Sequence, residues 1–191
     1  MDTRIETLDT MLQTMAGQLA ALDPADGSRP TPCAEMTVED LGEHLATWIQ
    51  VFAGAANDTT IDFDPTDHRV GEDRAAVFAK AAAHTVDGLR RNGVDRMMTM
   101  TADPLPGELV INMLLMEYVG HGWDLARATA TPVPYDEAQA EAALAAAQAI
   151  IQPEYRGPEL FDTEVDPGPA ASAMDRFVGF IGRDPAWAPA G

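Results

Sequence analysis

The chain has 191 residues, of which 46% are hydrophobic and 6% aromatic, and its 31 acidic against 12 basic side chains give a net charge of −19. That length supports one domain with a sizeable core, and an alanine-rich composition sparse in Val and Ile favours helices over an extensive sheet. A surface this acidic repels phosphate backbones and anionic bilayers, so nucleic acid and membranes drop out as partners.

Cys33 is the one cysteine, so there is no internal disulfide framework. The N-terminal residues Asp2, Arg4, Glu6 and Asp9 do not form a signal peptide, and no apolar run reaches the roughly 18 residues of a membrane span. These features predict a cytoplasmic protein, monomer or homodimer, with 1–191 as a single domain.

Ile5, Leu8, Leu12, Met15, Leu19 and Leu22 recur at helical spacing and predict a first amphipathic helix over 2–22. Pro24, Gly27 and Pro30 end it. Thr37-Val38-Glu39-Asp40 reads as a helix start with Thr37 as N-cap and Asp40 in a weaker form of the capping box. The second helix runs to about 56 with Leu41, Leu45, Trp48, Ile49 and Phe52 on its apolar stripe, and His44 falls within that stripe. After an acidic loop over 57–70, a third helix over about 71–91 ends in Arg90-Arg91-Asn92-Gly93, a basic last turn with a glycine stop. Residues 97–101 followed by Asp-Pro-Leu-Pro-Gly predict a short strand and turn, and the methionines there read as core. A long helix follows over 109–129 and an alanine-rich one over about 136–151. From Pro153 to 191 an irregular tail wraps the bundle, with one short helix near 170–182.

The long helix carries the chemistry. Met113, Glu117, His121, Asp124 and Ala128 form one stripe at about 100° per residue, flanked by Leu114 and Leu125, so it should face a core. A carboxylate and an imidazole one turn apart on such a face need a partner, because an unpaired buried charge costs several kcal/mol. Glu117 and His121 at i,i+4 lean the same way and could share a divalent cation, with His44 as a third ligand and one coordination position left open. The competing reading is a hydrogen-bonded Glu117–His121 pair, with His44 an ordinary core histidine donating to a carbonyl. His84 is a fourth-ligand candidate or a surface residue, and His68 reads as solvated. Asp124 either orients the His121 imidazole or caps a neighbouring backbone group. Cys33 has no basic residue near it in sequence and reads as a buried spectator rather than a reactive thiol. No protein nucleophile stands beside the candidate ligands.

The segments TPCAEMTVEDLGEHLATW (31–48), EYVGHGWDLARAT (117–129) and GRDPAW (182–187) resemble actinobacterial metal-binding proteins of the maleylpyruvate isomerase N-terminal type, relatives of the DinB-like four-helix bundles. The resemblance covers nearly the whole chain in order, and the E-x-x-x-H-x-W-D-L-A pattern is its most specific part. It implies an all-α, DinB-like four-helix bundle in which His44, Glu117 and His121 bind a divalent metal, usually zinc. It further implies a zinc-dependent enzyme using a low-molecular-weight thiol such as mycothiol, an isomerase or S-transferase acting on a small electrophile. The alternative is a non-catalytic metal-binding bundle, a sensor or partner-binding protein; an iron(II) oxygenase using the same triad is a third reading. Isomerases of this type carry a further C-terminal domain with a substrate-binding arginine, and this chain is too short to hold all of it. Met36 stands where the family commonly has tryptophan. If the substrate is a carboxylate, Arg69 and Arg127 are the candidate cations to bind it.

Overall fold

The computed structural model describes residues 3–33, 35–157 and 161–189. Among these the chain is all-α apart from one small hairpin. Its helices are α1 (Thr3–Ala20), α2 (Val38–Ala56), α3 (Arg74–Asn92), α4 (Gly107–Ala128), α5 (Glu137–Ile150) and α6 (Ala173–Phe180). The first four form a DinB-like bundle in which α1 and α2 each pack on both α3 and α4. On its other side α4 carries α5, and α5 in turn carries α6.

The helix starts follow local chemistry. At α2 the Thr37 hydroxyl accepts from the Asp40 N–H while the Asp40 carboxylate accepts from the Thr37 N–H, both at 3.2 Å, so aspartate completes a capping box. Asp136 with Gln139 and Ser172 with Asp175 cap α5 and α6 in the same way. The end of α3 is set by Gly93 at φ 73, a left-handed conformation that glycine adopts without strain.

The expected strand is present as β1 (Met97–Thr99), paired antiparallel with β2 (Pro104–Pro106). Alternation along it buries Met98 completely but leaves Met97 54% exposed, so only part of that methionine run is core. The helix after it begins at Gly107, two residues before its apolar periodicity, because the Gly107 N–H donates to the Arg96 carbonyl at 2.8 Å. A Cβ at Gly107 would lie 2.2 Å from the Val94 carbonyl oxygen, so this close approach of hairpin and helix requires glycine.

Side chains from all six helices join one contiguous core. Leu8, Met11, Leu12 and Met15 of α1, Leu41, Leu45 and Ile49 of α2, and Phe78 of α3 are essentially inaccessible. Each such side chain contributes roughly 1.5–3 kcal/mol of transfer free energy. The inner side of α5 is Ala140, Ala143, Ala146 and Ala147, small enough for the close packing expected of it. No helix among the described residues is long and apolar enough to cross a membrane.

One buried charge organises the region beside the site. Glu43, 5% exposed, accepts from the backbone N–H groups of Val70 and Gly71 at 2.6 and 2.9 Å and pairs with Arg74 at 3.2 Å. It thereby ties the end of the acidic 57–70 loop to the turn of α2 that carries His44.

Candidate metal centre

His44 lies in the second turn of α2, and Glu117, His121 and Asp124 follow one another along α4. The two helices meet through Phe52 and Tyr118, whose rings contact edge to face at 6.2 Å. That contact turns the Glu117 face of α4 toward the His44 turn of α2. His44 Nε2 is 2.7 Å from Glu117 Oε1, His121 Nε2 is 3.5 Å from the same oxygen, and the two imidazoles meet edge to face at 5.2 Å. The stripe is not sealed in the core as its flanking leucines imply. The side chains of His44, Glu117 and His121 keep 23%, 24% and 12% exposure, so the group is only partly covered, with His44 bordering a cleft and the other two a small hollow. His44 donates to a carboxylate here, not to a backbone carbonyl.

These three residues fit a metal ion. Their ligand atoms lie within 4.8 Å of one another. Ligands bound at ~2.0–2.1 Å on a tetrahedral zinc are about 3.3–3.4 Å apart. The His121–Glu117 separation of 3.5 Å nearly matches, and the His44–Glu117 contact of 2.7 Å would have to open by about 0.6–0.7 Å. Two nitrogens and one carboxylate oxygen suit zinc and leave a coordination position for a further ligand.

In the metal-free protein the same groups form an ion-paired cluster. Burial raises the Glu117 carboxyl pKa, but the His121 charge and the hydrogen bond from His44 outweigh it and hold the group down to about 2. Burial lowers the His121 pKa, while Glu117 and Asp124 more than offset this and leave it raised. His121 Nδ1 donates to Asp124 Oδ2 at 2.9 Å, which holds a ring proton on Nδ1 and points Nε2 at the Glu117–His44 side, where a metal would displace the Nε2 proton. Asp124 thus bonds the imidazole, and among the described residues it caps no backbone group.

Asp124 is fully buried and needs a counterion, which comes from the C-terminal segment. Arg183 donates from Nη2 and Nε to its two oxygens at 3.1 and 3.3 Å. The GRDPAW stretch explains how. Gly182, at φ +89, closes α6 with paired bonds from Gly182 N–H to Gly179 and from Arg183 N–H to Val178, a Schellman end that swings Arg183 back over α4. Gly120 lets α6 approach, since a Cβ there would already sit 3.2 Å from Ile181. Burial pushes the Asp124 pKa up, but the hydrogen bond with His121 and the Arg183 charge leave it lowered. Arg183 has no assigned role at sequence level because its partner lies 59 positions away. Within the described part of the C-terminal segment, α6 packs on α5 and Arg183 reaches α4.

Cys33 also comes close, forming with His121 and Asp124 a second group of ligand atoms within 4.8 Å. Arg183 covers both Asp124 oxygens, so a cation is disfavoured on that side, and the His44–Glu117–His121 side is the better metal site. Thr31 fixes the cysteine loop, its hydroxyl donating to the carbonyls of Cys33 and Met36. Burial raises the Cys33 thiol pKa despite the nearby Arg183, which argues against a reactive thiolate.

The other candidates separate clearly. Arg69 is exposed, pairs with Asp40 at 3.7 Å and lines a cleft of about 380 Å³ together with His44. Arg127 is turned to the tail, its guanidinium donating to the Trp187 carbonyl, and it takes no part in the group. His84 is exposed on α3, away from the three ligands. His68 stacks on Phe63 at 4.1 Å and borders the same cleft as His44. Glu117, His121 and Arg183 line a second, much smaller hollow of about 40 Å³, large enough for a water molecule.

Fold and site define a helical bundle with a candidate two-histidine, one-glutamate metal centre at the α2–α4 seam. The family model for the mycothiol maleylpyruvate isomerase N-terminal domain matches residues 8–126, and the chain belongs to that family. It is 31% identical over 156 residues to uncharacterized proteins from two strains of Mycobacterium tuberculosis, covering 81% of this chain and 83% of each relative. No solved structure matches it.

Proposed function

We propose that the protein is a zinc-dependent enzyme in which His44 Nε2, a Glu117 carboxylate oxygen and His121 Nε2 hold the metal. Its co-substrate is a low-molecular-weight thiol such as mycothiol, and its reaction is isomerisation of, or S-transfer to, a small electrophile. The single observation that carries this reading is the convergence of three ligand atoms from two helices within 4.8 Å of one another, with His44 bordering a cleft; three protein ligands would leave a coordination position for the thiol. The family description, which names mycothiol, points to the thiol. When bound, the cation favours thiolate over thiol near neutral pH and so supplies the nucleophile.

The protein's own groups would then do the following. Glu117 offsets the cation's charge, Asp124 keeps the His121 proton on Nδ1, and Arg183 keeps Asp124 ionised and in place. Cys33, with its raised pKa, stays out of the chemistry, and the reacting sulfur belongs to the co-substrate.

The test is cobalt substitution. One cobalt per chain should bind, and added mycothiol should produce a sulfur-to-metal charge-transfer band with release of a proton. A panel of small electrophiles, maleylpyruvate included, should then show thiol-dependent turnover. A cobalt spectrum indifferent to every thiol, with no electrophile consumed, would replace this reading with a non-catalytic metal-binding bundle.

A further inference from the structure

A groove of about 420 Å³ lies between α2, α3 and the loop over 57–70, within the range for ligand pockets. It shares no lining residue with the cleft beside His44. Its floor is apolar: Ala53 and Gly54 of α2 and Ala81 of α3 are buried, and Val77, Ile61 and Phe63 are half-buried around them. The walls are pinned in place. The Thr59 N–H donates to the Gly54 carbonyl at 3.0 Å, and a Cβ on Gly54 would lie 2.8 Å from the Thr59 oxygen, so glycine lets the loop cross α2 closely. Asn57 Nδ2 donates to the His84 carbonyl at 3.0 Å and ties the end of α2 to α3.

The polar groups of the groove select the ligand. Lys80 and His84 stand one turn apart on α3, and both are exposed and line it. Lys80 is the chain's one lysine. Every arginine has an ion-pair or hydrogen-bond partner. Among the described residues neither the Lys80 ammonium nor the His84 imidazole has one. In a chain of net charge −19, a cation left without a carboxylate is the exception. An ammonium beside an imidazole N–H offers two donors to a single carboxylate, while the lysine stem and the floor beneath suit a hydrocarbon body. Asp62 also lines the groove, but it is exposed and not paired with Lys80, so solvent and salt weaken its repulsion of an anion.

We propose that this groove binds a small amphipathic monocarboxylate, its carboxylate held by Lys80 and His84 and its hydrocarbon part laid over Ala53, Ala81, Val77 and Phe63. The site is separate from the metal centre and does not depend on the metal or thiol reading.

Octanoate is the probe, on the zinc-loaded full chain. A single lysine permits direct observation: with isotope-labelled lysine, the Lys80 ε-carbon gives one resonance, which octanoate should shift saturably. By titration calorimetry, acetate, which lacks the hydrocarbon, and octanamide, which lacks the charge, should each bind at least about tenfold more weakly. Lys80→Gln should weaken octanoate about tenfold and His84→Ala about threefold, and Asp62→Asn should tighten it about twofold. His44→Ala, which removes a candidate metal ligand, should leave octanoate affinity within about twofold of the parent. An unmoved Lys80 resonance, equal affinity for octanoate and octanamide or acetate, or an affinity unchanged in Lys80→Gln would overturn the assignment. Loss of binding in His44→Ala would place the carboxylate on the metal instead and would overturn it as well.

Discussion

Asp124→Asn isolates the group that orients the metal site. Asp124 is fully buried and accepts from His121 Nδ1 at 2.9 Å and from Arg183 at 3.1 and 3.3 Å. Asparagine keeps the shape but loses the charge, and it can turn its NH2 toward Nδ1, favouring the tautomer whose proton sits on Nε2. Loss of such an outer partner costs about 10–100-fold in metal affinity. Stability should fall as well, because Arg183 is left without its counterion. Breaking a buried pair costs about 3–5 kcal/mol, and the 16% exposure of the Arg183 side chain reduces this to about 2–3 kcal/mol. Competition against a chelator measures the zinc affinity, and urea unfolding of the metal-free protein measures the stability. The double variant Asp124→Asn/Arg183→Met separates the two effects, since it removes the orphaned charge without restoring the bond to His121. Stability should largely return and affinity should not. A zinc affinity within about threefold of the parent, or its recovery in the double variant, would show that Asp124 merely neutralises Arg183 and does not orient the ligand.

Four further outcomes follow from the structure. His44→Ala and His121→Ala should each lower zinc affinity by about two orders of magnitude or more, read by elemental analysis and chelator competition, because each removes one of three protein ligands. Zinc affinity should fall with acidity, beginning above about pH 6.5, because the metal needs neutral His121 and that group's pKa is raised in the fold; an affinity flat from about pH 5 to 8 would contradict it. In the metal-free protein the raised His121 contributes stability below that ordinary value and loses it as pH rises through the folded pKa. Glu117, lowered from 4.5 to about 2, contributes above its ordinary value and loses it on acidification, so chelated protein should melt highest at mildly acid pH. Gly107→Ala should destabilise by about 1–3 kcal/mol in urea unfolding, since its Cβ would collide with the Val94 carbonyl, and backbone yields less readily than a side chain.

The sequence by itself determined the helices, the Thr37–Asp40 cap of α2 and the Gly93 end of α3, and it picked out the three candidate ligands. Each of these is a local or periodic property: Thr37 and Asp40 are three residues apart, Glu117 and His121 one turn apart, and His44 lies in its helix's own apolar stripe. Family resemblance supplied the metal and the thiol as expectations, again from contiguous segments. Tertiary structure decided what those groups touch. The Phe52–Tyr118 contact sets His44 against Glu117 across 73 residues, and the Schellman end of α6 brings Arg183 to Asp124 across 59. Cys33 reads as isolated in the chain, yet it lies beside His121 because the Thr31 turn folds its loop over the α2–α4 seam. The stripe looks sealed by Leu114 and Leu125, and Asp124 and Ala128 are fully buried, but the fold leaves Glu117 and His121 partly exposed beside His44. Periodicity reports which side of a helix is apolar. Which neighbour covers that side, and where the cover stops, depends on contacts between residues far apart in the chain, and those determine whether a histidine in the stripe is core or ligand.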